Sequence, residues 1–171
     1  MLNRDDVLEW LKEQAAKKEE VATAIEEASA AIEELERAAH APISDKSEQI
    51  RTVEDSRKEA GLLRQAVLLL ESGTGDKVES IVSSFLLQAD DIEDKMLPKL
   101  RQAVFEISTE DQKDLFNGLT ASKVQQITYF RIAAYYLSQR DVVPQHLTNA
   151  VMQAMVKEQI WDEVKQLSDS E

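Results

Sequence analysis

Apolar residues recur at alternating spacings of three and four along the first forty residues, and this repeat constrains the fold more than any other feature. A repeat with a mean period of about 3.5 residues holds one face of a helix against a second helix along its whole length. The segment is therefore predicted to be a long helix that packs lengthwise on another. Its a positions are Leu11, Lys18, Ile25, Ile32 and Ala39, and its d positions are Val7, Gln14, Val21, Ala28 and Leu35.

This row of a and d positions, the helix 1 seam, does not identify its partner. Helices later in the chain have matching length and apolar surface, which favours packing within one molecule, but a homo-oligomer through helix 1 stays open. Gln14 and Lys18 are polar positions in the seam. They either fix the register of a partner helix or mark where the packing loosens.

The composition predicts an all-α protein. Only four Gly and three Pro interrupt 171 residues, and 43% of the residues are apolar, which is enough for a core. Because cysteine is absent, disulfides and thiolate metal sites are excluded. The start lacks the apolar region of a signal peptide, and no apolar stretch is long enough to span a membrane, so a cytoplasmic location is expected.

The helical patterns predict an elongated antiparallel three-helix bundle, resembling a coiled-coil rod, over residues 1–107 and a small helical lobe over 108–171. Proline at position 98 predicts a kink near Asp94, or two helices with a tight break. Asn117-Gly118 predicts a turn in the lobe. The expected helices are about 4–39, 45–71 and 77–107 in the bundle, and about 110–117, 122–138 and 144–166 in the lobe.

The helix predicted over 122–138 has two apolar stripes. One stripe contains Phe130, and the opposite one contains Tyr129 and Tyr136 and ends at Arg140. Two apolar faces indicate either a central position in the lobe or a second face that binds a partner. The core interpretation is favoured about two to one, although Tyr and Arg are enriched in interface hot spots.

The charge distribution limits the class of partner. The net charge is −13, and residues 1–40 alone, with 5 basic and 11 acidic side chains, carry −6. Because no segment is basic, direct nucleic-acid binding is disfavoured, and long-range attraction favours a basic partner. The glutamates of helix 1 are dense enough to suggest an alternative in which the protein mimics nucleic acid and blocks a basic groove.

The candidate chemistry is weak. The acidic run Asp90–Asp94 is predicted to fan around a solvated helix face, which would not converge on a hard cation. Glu33 and Glu36 with Asp91 and Asp94 could hold magnesium only if they faced inward on adjacent helices. Since neither His40 nor His146 has nucleophile or metal-ligand neighbours in sequence, we expect no enzymatic activity, no metal and no cofactor.

These observations predict a non-enzymatic protein–protein interaction module, that is, a scaffold, adaptor or assembly subunit. The alternatives are the acidic inhibitor or nucleic-acid mimic and a small helical subunit of a nucleoprotein complex. The residues expected to carry the interaction are Leu11, Lys18, Ile25 and Ile32 in the seam and Tyr129, Tyr136 and Arg140 in the lobe.

Overall fold

The structure, a computed structural model, describes residues 2–73, 76–107, 109–140 and 143–168. Within these ranges the chain forms six α-helices, one π-helical turn and no β-strand, which confirms the prediction of an all-α fold. The elements are α1 (Arg4–Ala38), α2 (Ser47–Ser72), α3 (Val78–Asp91), the π turn (Ile92–Met96), α4 (Leu97–Glu106), α5 (Glu110–Ser138) and α6 (Gln145–Ser168).

The helices form two compact units, and their boundary differs from the predicted one near residue 107. Leu8–Ser72 is the hairpin unit, whereas the residues up to Val7 and those from Gly73 onward make the bundle unit. Helix α3 was expected to complete a three-helix bundle with the first two helices, but it groups with α5 and α6. Helix α3 packs on the apolar stripe of α5 that contains Phe130, where the Phe85 and Phe130 rings meet.

The hairpin unit consists of most of α1 and all of α2, running antiparallel. Ion pairs join residues whose numbers rise along α1 as they fall along α2. Arg57 Nη2 lies 2.6 Å from Glu26 Oε2, and Lys46 Nζ lies 2.8 Å from Glu33 Oε2. Between the helices lie small and apolar side chains that are almost fully buried, including Leu11, Ala15, Ala22, Val53, Ala60 and Leu63.

The bundle unit is centred on α3 and α5. Phe85 and Phe130 meet with ring centroids 5.3 Å apart, and Ile81, Ala89 and Leu137 are almost fully buried. On the other side of α5, Ile132 and Ala133 are buried as well. The second stripe is therefore covered at Ile132 and Ala133, whereas Tyr129 and Tyr136 are half-buried.

Helix α5 is continuous where the sequence predicts a turn. It includes Asn117 and Gly118, so the expected separate helices 110–117 and 122–138 are one element. Glycine disfavours a helix interior by only about 1 kcal/mol relative to alanine, and packing on neighbouring helices overrides such a preference. The Thr120 hydroxyl also donates to the Phe116 carbonyl across this region, at 2.8 Å.

The predicted break near Pro98 takes the form of a π turn. The Leu97 amide donates to the Ile92 carbonyl five residues earlier, and α4 starts immediately with Pro98 in its first turn. The wider turn moves the apolar face by one residue. Leu97 is buried, whereas Met96 is 42% exposed.

Candidate functional site

The four seam residues predicted to carry the interaction have different environments. Leu11 is fully buried, and Lys18 is half-buried in an ion pair with Glu59 of α2. Ile25 is also half-buried, whereas Ile32 is 50% exposed. The structure therefore uses the N-terminal part of the seam inside the fold and leaves its C-terminal part open to solvent.

The difference follows from the mismatch between the seam and a straight helix. A row with the heptad period drifts by about 20° per heptad around an α-helix. The side of α1 that faces α2 is given by buried Ala15 and Ala22 and by the ion-paired Glu26 and Glu33. Beyond Ile25 the seam has turned away from this side, so that Leu35 is 70% exposed.

The outward side of the second half of α1 is apolar and has small residues along one edge. Val21, Ile32 and Leu35 are 49%, 50% and 70% exposed. A run of exposed large apolar side chains on one helix face is typical of a surface that binds another molecule. We call this surface the α1 apolar face: Val21, Ala24, Ala28, Ala31, Ile32, Leu35 and Ala38, all exposed.

One edge of the α1 apolar face is acidic. Glu20, Glu27 and Glu34 are exposed there and recur every seven residues. The neighbouring glutamates 19 and 26 instead form ion pairs with Arg64 and Arg57 of α2, and Glu33 pairs with Lys46, which directly precedes α2. Hydrogen bonds from Arg57 lower the pKa of Glu26, and those from Lys46 lower the pKa of Glu33.

Three of the carboxylates considered as magnesium ligands, Glu33, Glu36 and Asp91, form hydrogen bonds or ion pairs with neighbouring side chains. Glu36 accepts hydrogen bonds from the Ser44 hydroxyl and from the Ser44 amide, the latter at 3.1 Å, and the hydroxyl contact lowers the Glu36 pKa. Lys46 bridges Glu33 and the Ser29 carbonyl. Asp91 pairs with Lys95 at 2.7 Å. These carboxylates hold the α1–α2 connection and the π turn.

The acidic run also contributes to a buried ionic cluster that the sequence did not predict. Arg131 of α5, with a side chain only 1% exposed, contacts Glu93 at 2.6 Å, Glu158 at 3.2 Å and Asp90 at 3.3 Å. Lys157 reaches Glu93 and Asp90 from α6. The prediction that the run lies on a solvated face is therefore wrong for Glu93, whose side chain is 19% exposed, whereas Asp90 contacts Arg131 and is still about half exposed.

Two opposing effects set the pKa values in this cluster. Burial raises the pKa of Glu93, but the hydrogen bonds and charge of Arg131, with Trp161 and Lys157, outweigh it and leave the pKa below its usual value. Burial likewise lowers the pKa of Arg131, and its carboxylate partners more than reverse this. The contact between Glu93 and Arg131 therefore favours the charged form of both side chains.

The three residues predicted for the lobe, Tyr129, Tyr136 and Arg140, all belong to the bundle unit. The Tyr136 hydroxyl donates to the Leu2 carbonyl at 2.9 Å, so it holds the N-terminal segment within the bundle unit. Tyr129 is half-buried, and Arg140 is exposed beside Gly73.

A second exposed apolar patch, which the sequence analysis missed, lies where α4 ends and α5 begins. Phe105 is 90% exposed, Leu115 63% and Leu119 43%. The sequence signal was available, since these residues lie outside the apolar stripes of their helices.

Comparison of the chain with protein-family models, curated protein sequences and solved structures finds no match. In the part of the chain that the structure describes, no helix has the length and apolar character needed to cross a membrane. Over the same residues, no three metal-binding side chains come together in a group able to hold an ion.

Proposed function

We propose that the protein is a non-enzymatic interaction module whose α1 apolar face binds a basic amphipathic helix of another protein. The observation that carries the proposal is the solvent exposure of the C-terminal half of a seam with a coiled-coil period. In the first half of α1 the same repeat supplies buried residues such as Leu11, which supports a packing role for the repeat as a whole.

The period of the exposed residues favours a helical partner. Ile25, Ile32 and the d positions beside them keep the spacing that matches a second helix across several turns. Ala24, Ala28 and Ala31 lack bulk beyond Cβ, so a partner backbone can approach α1 closely along that edge. An amphipathic helix would place its apolar side chains against Val21, Ile32 and Leu35.

The charge of the edge favours a basic partner over a second copy of this chain. Glu20, Glu27 and Glu34 would meet lysine or arginine side chains flanking the apolar face of the incoming helix. A second α1 packed on the same surface would bring two acidic edges, each within a segment of net charge −6, into one interface. Repulsion of this kind acts against self-association.

The alternative of a nucleic-acid mimic receives less support. It requires a regular array of free carboxylates along α1, but Glu19, Glu26 and Glu33 are joined to basic side chains in α2 and directly before it. Three neutralised members out of a dense array weaken the resemblance to a phosphate backbone. Glu20, Glu27 and Glu34 are better described as the edge of an apolar surface.

The proposal is tested with a synthetic helical peptide that has leucines on one face and lysines on both flanks. Fluorescence anisotropy of the labelled peptide should show saturable binding to the full chain. Ile32→Asp and Leu35→Asp should each weaken binding at least tenfold, because each places a carboxylate in the apolar contact. Ile50→Asp is the matched control, since Ile50 is 57% exposed on α2 and lies outside the α1 apolar face.

A peptide with glutamates in place of the lysines distinguishes a requirement for positive charge from non-specific hydrophobic binding. Equal binding of both peptides, or unchanged binding to Ile32→Asp, would contradict the proposal. Binding that disappears with added salt yet survives Ile32→Asp would favour the mimic. Sedimentation equilibrium completes the test, because a dimer that Ile32→Asp dissociates would show that a second copy occupies the face.

A further inference from the structure

The bundle unit contains a cavity that is independent of the α1 apolar face. It has a volume of about 800 Å³ and lies between the N-terminal segment, α5 and α6. This volume is within the range of small-molecule sites, about 300–1,000 Å³. Its walls are apolar over Ile132, Met152 and Met155, and Tyr135 adds an aromatic ring.

Its polar lining is acidic. Asp6, Glu158 and Asp162 contribute carboxylates, and no lysine, arginine or histidine is among the described residues that line it. Glu158 is only 6% exposed and is held by the Thr128 hydroxyl at 2.8 Å and by Arg131. Asp6 is fixed as well, through its reciprocal hydrogen bonds with Asn3 at the start of α1.

The ionic cluster of Arg131 that includes Glu158 carries a net negative charge. Arg131 and Lys157 supply two positive charges, whereas Asp90, Glu93 and Glu158 supply three negative ones. Asp90 and Lys157 are each about half exposed and offset each other, so that the largely buried Arg131, Glu93 and Glu158 retain one net negative charge, which reaches the cavity at Glu158. Uncompensated charge away from water is unfavourable, so a cation entering the cavity would be stabilised.

The spread of the carboxylates determines which cation fits. Because no three of the acidic groups in the described chain converge as metal ligands do, a compact metal ion is a poor match. We propose that the cavity binds an aliphatic diamine or polyamine. The ammonium groups would lie near the carboxylates and over the Tyr135 ring, and the methylene segments would lie on the two methionines and Ile132.

Isothermal titration calorimetry of the full chain at low salt tests this proposal with hexamethylenediamine and hexanediol, which share the same methylene chain. We expect saturable binding of the diamine at one site and at least tenfold weaker binding of the diol. Asp162→Asn should weaken diamine binding about tenfold, whereas Asp114→Asn, an equal charge change at an exposed position of α5, should not.

Two neighbouring lysine substitutions give a second, independent readout. Met155→Lys places an ammonium group inside the cavity and should abolish diamine binding. Val156→Lys makes the same charge change at a residue that is 56% exposed and does not line the cavity, so binding should persist. Equal loss in both variants would show general attraction to an acidic protein and overturn the proposal, as would equal affinity for the diol or no binding of the diamine.

Discussion

Arg131 of α5 grips Glu93 of the π turn through both of its terminal nitrogens, with Nη2 2.6 Å from Oε2 and Nη1 3.4 Å from Oε1. The contact spans 38 residues of sequence, and the Arg131 side chain is almost completely buried. Fork-like guanidinium–carboxylate pairs fix geometry as well as contributing energy. This pair, with Glu158, joins α5, α6 and the π turn at one point.

Arg131→Met should destabilise the protein by about 3–5 kcal/mol, because it removes the cation that contacts buried Glu158 and leaves Glu93 with only the half-exposed Lys157. Urea unfolding followed by circular dichroism measures the change. The control is Arg101→Met, at an exposed position of α4, for which a change within about 0.5 kcal/mol is expected. Similar stabilities for the two variants would mean that the cluster contributes little to folding.

Glu93 should make the stability of the protein depend on acidic pH. Its pKa is lower in the folded protein than the unfolded value of about 4.3, so the folded state binds this proton more weakly. The stabilisation is therefore complete above that value and is lost as the pH falls through the folded pKa. Urea unfolding between about pH 6 and pH 3 should show a shallower decline for Glu93→Gln than for the wild type. Parallel declines would contradict the assignment.

Substitutions at two a positions of the helix 1 seam should differ strongly in their effect on the free energy of unfolding. Leu11→Ala should cost about 2–5 kcal/mol, since Leu11 is fully buried. Ile32→Asp should change the free energy of unfolding by no more than about 0.5 kcal/mol, since half of Ile32 is exposed. Thermal and urea unfolding measure both changes. Unfolding of Ile32→Asp would show that the outward side of α1 is buried in solution.

Gly118→Ala should stabilise the protein by about 0.5–1 kcal/mol, because Gly118 lies inside α5 and alanine restricts the unfolded chain. A Cβ atom there would meet no other atom within 4 Å. Gly73→Ala is the opposite case. Its φ of +67° disfavours alanine, and the new Cβ would lie 3.1 Å from Arg140 Nη1. Melting temperatures should therefore rise for the first variant and fall for the second.

The bounds of α1 were predictable from sequence, but the side that it presents was not. Pro42 and the polar residues around it limit the helix, which ends at Ala38 near the expected 39. The heptad row indicated a packing face along its whole length. However, Ala15 and Ala22, which are buried between α1 and α2, are too small to stand out in a search for large apolar residues.

The sequence indicated the position of Arg131 but not its partners. A single arginine inside the apolar run Phe130–Leu137 indicates either a solvated edge or a buried ion pair. Its partners Glu93 and Glu158 lie 38 and 27 residues away. Such separations are fixed only by the packing of α3, α5 and α6, which a local pattern does not contain.

The π turn also has a consequence for the length of the chain. A π turn is equivalent to an α-helix that has gained one residue, and here the extra residue brings both Ile92 and Leu97 to the buried side. Removal of one exposed residue within it, such as Asp94, would leave a regular helix with the same face inward before and after. This stretch is therefore a place where the protein should tolerate a deletion inside a helix, a change that elsewhere in α3 would rotate every later side chain by about 100°.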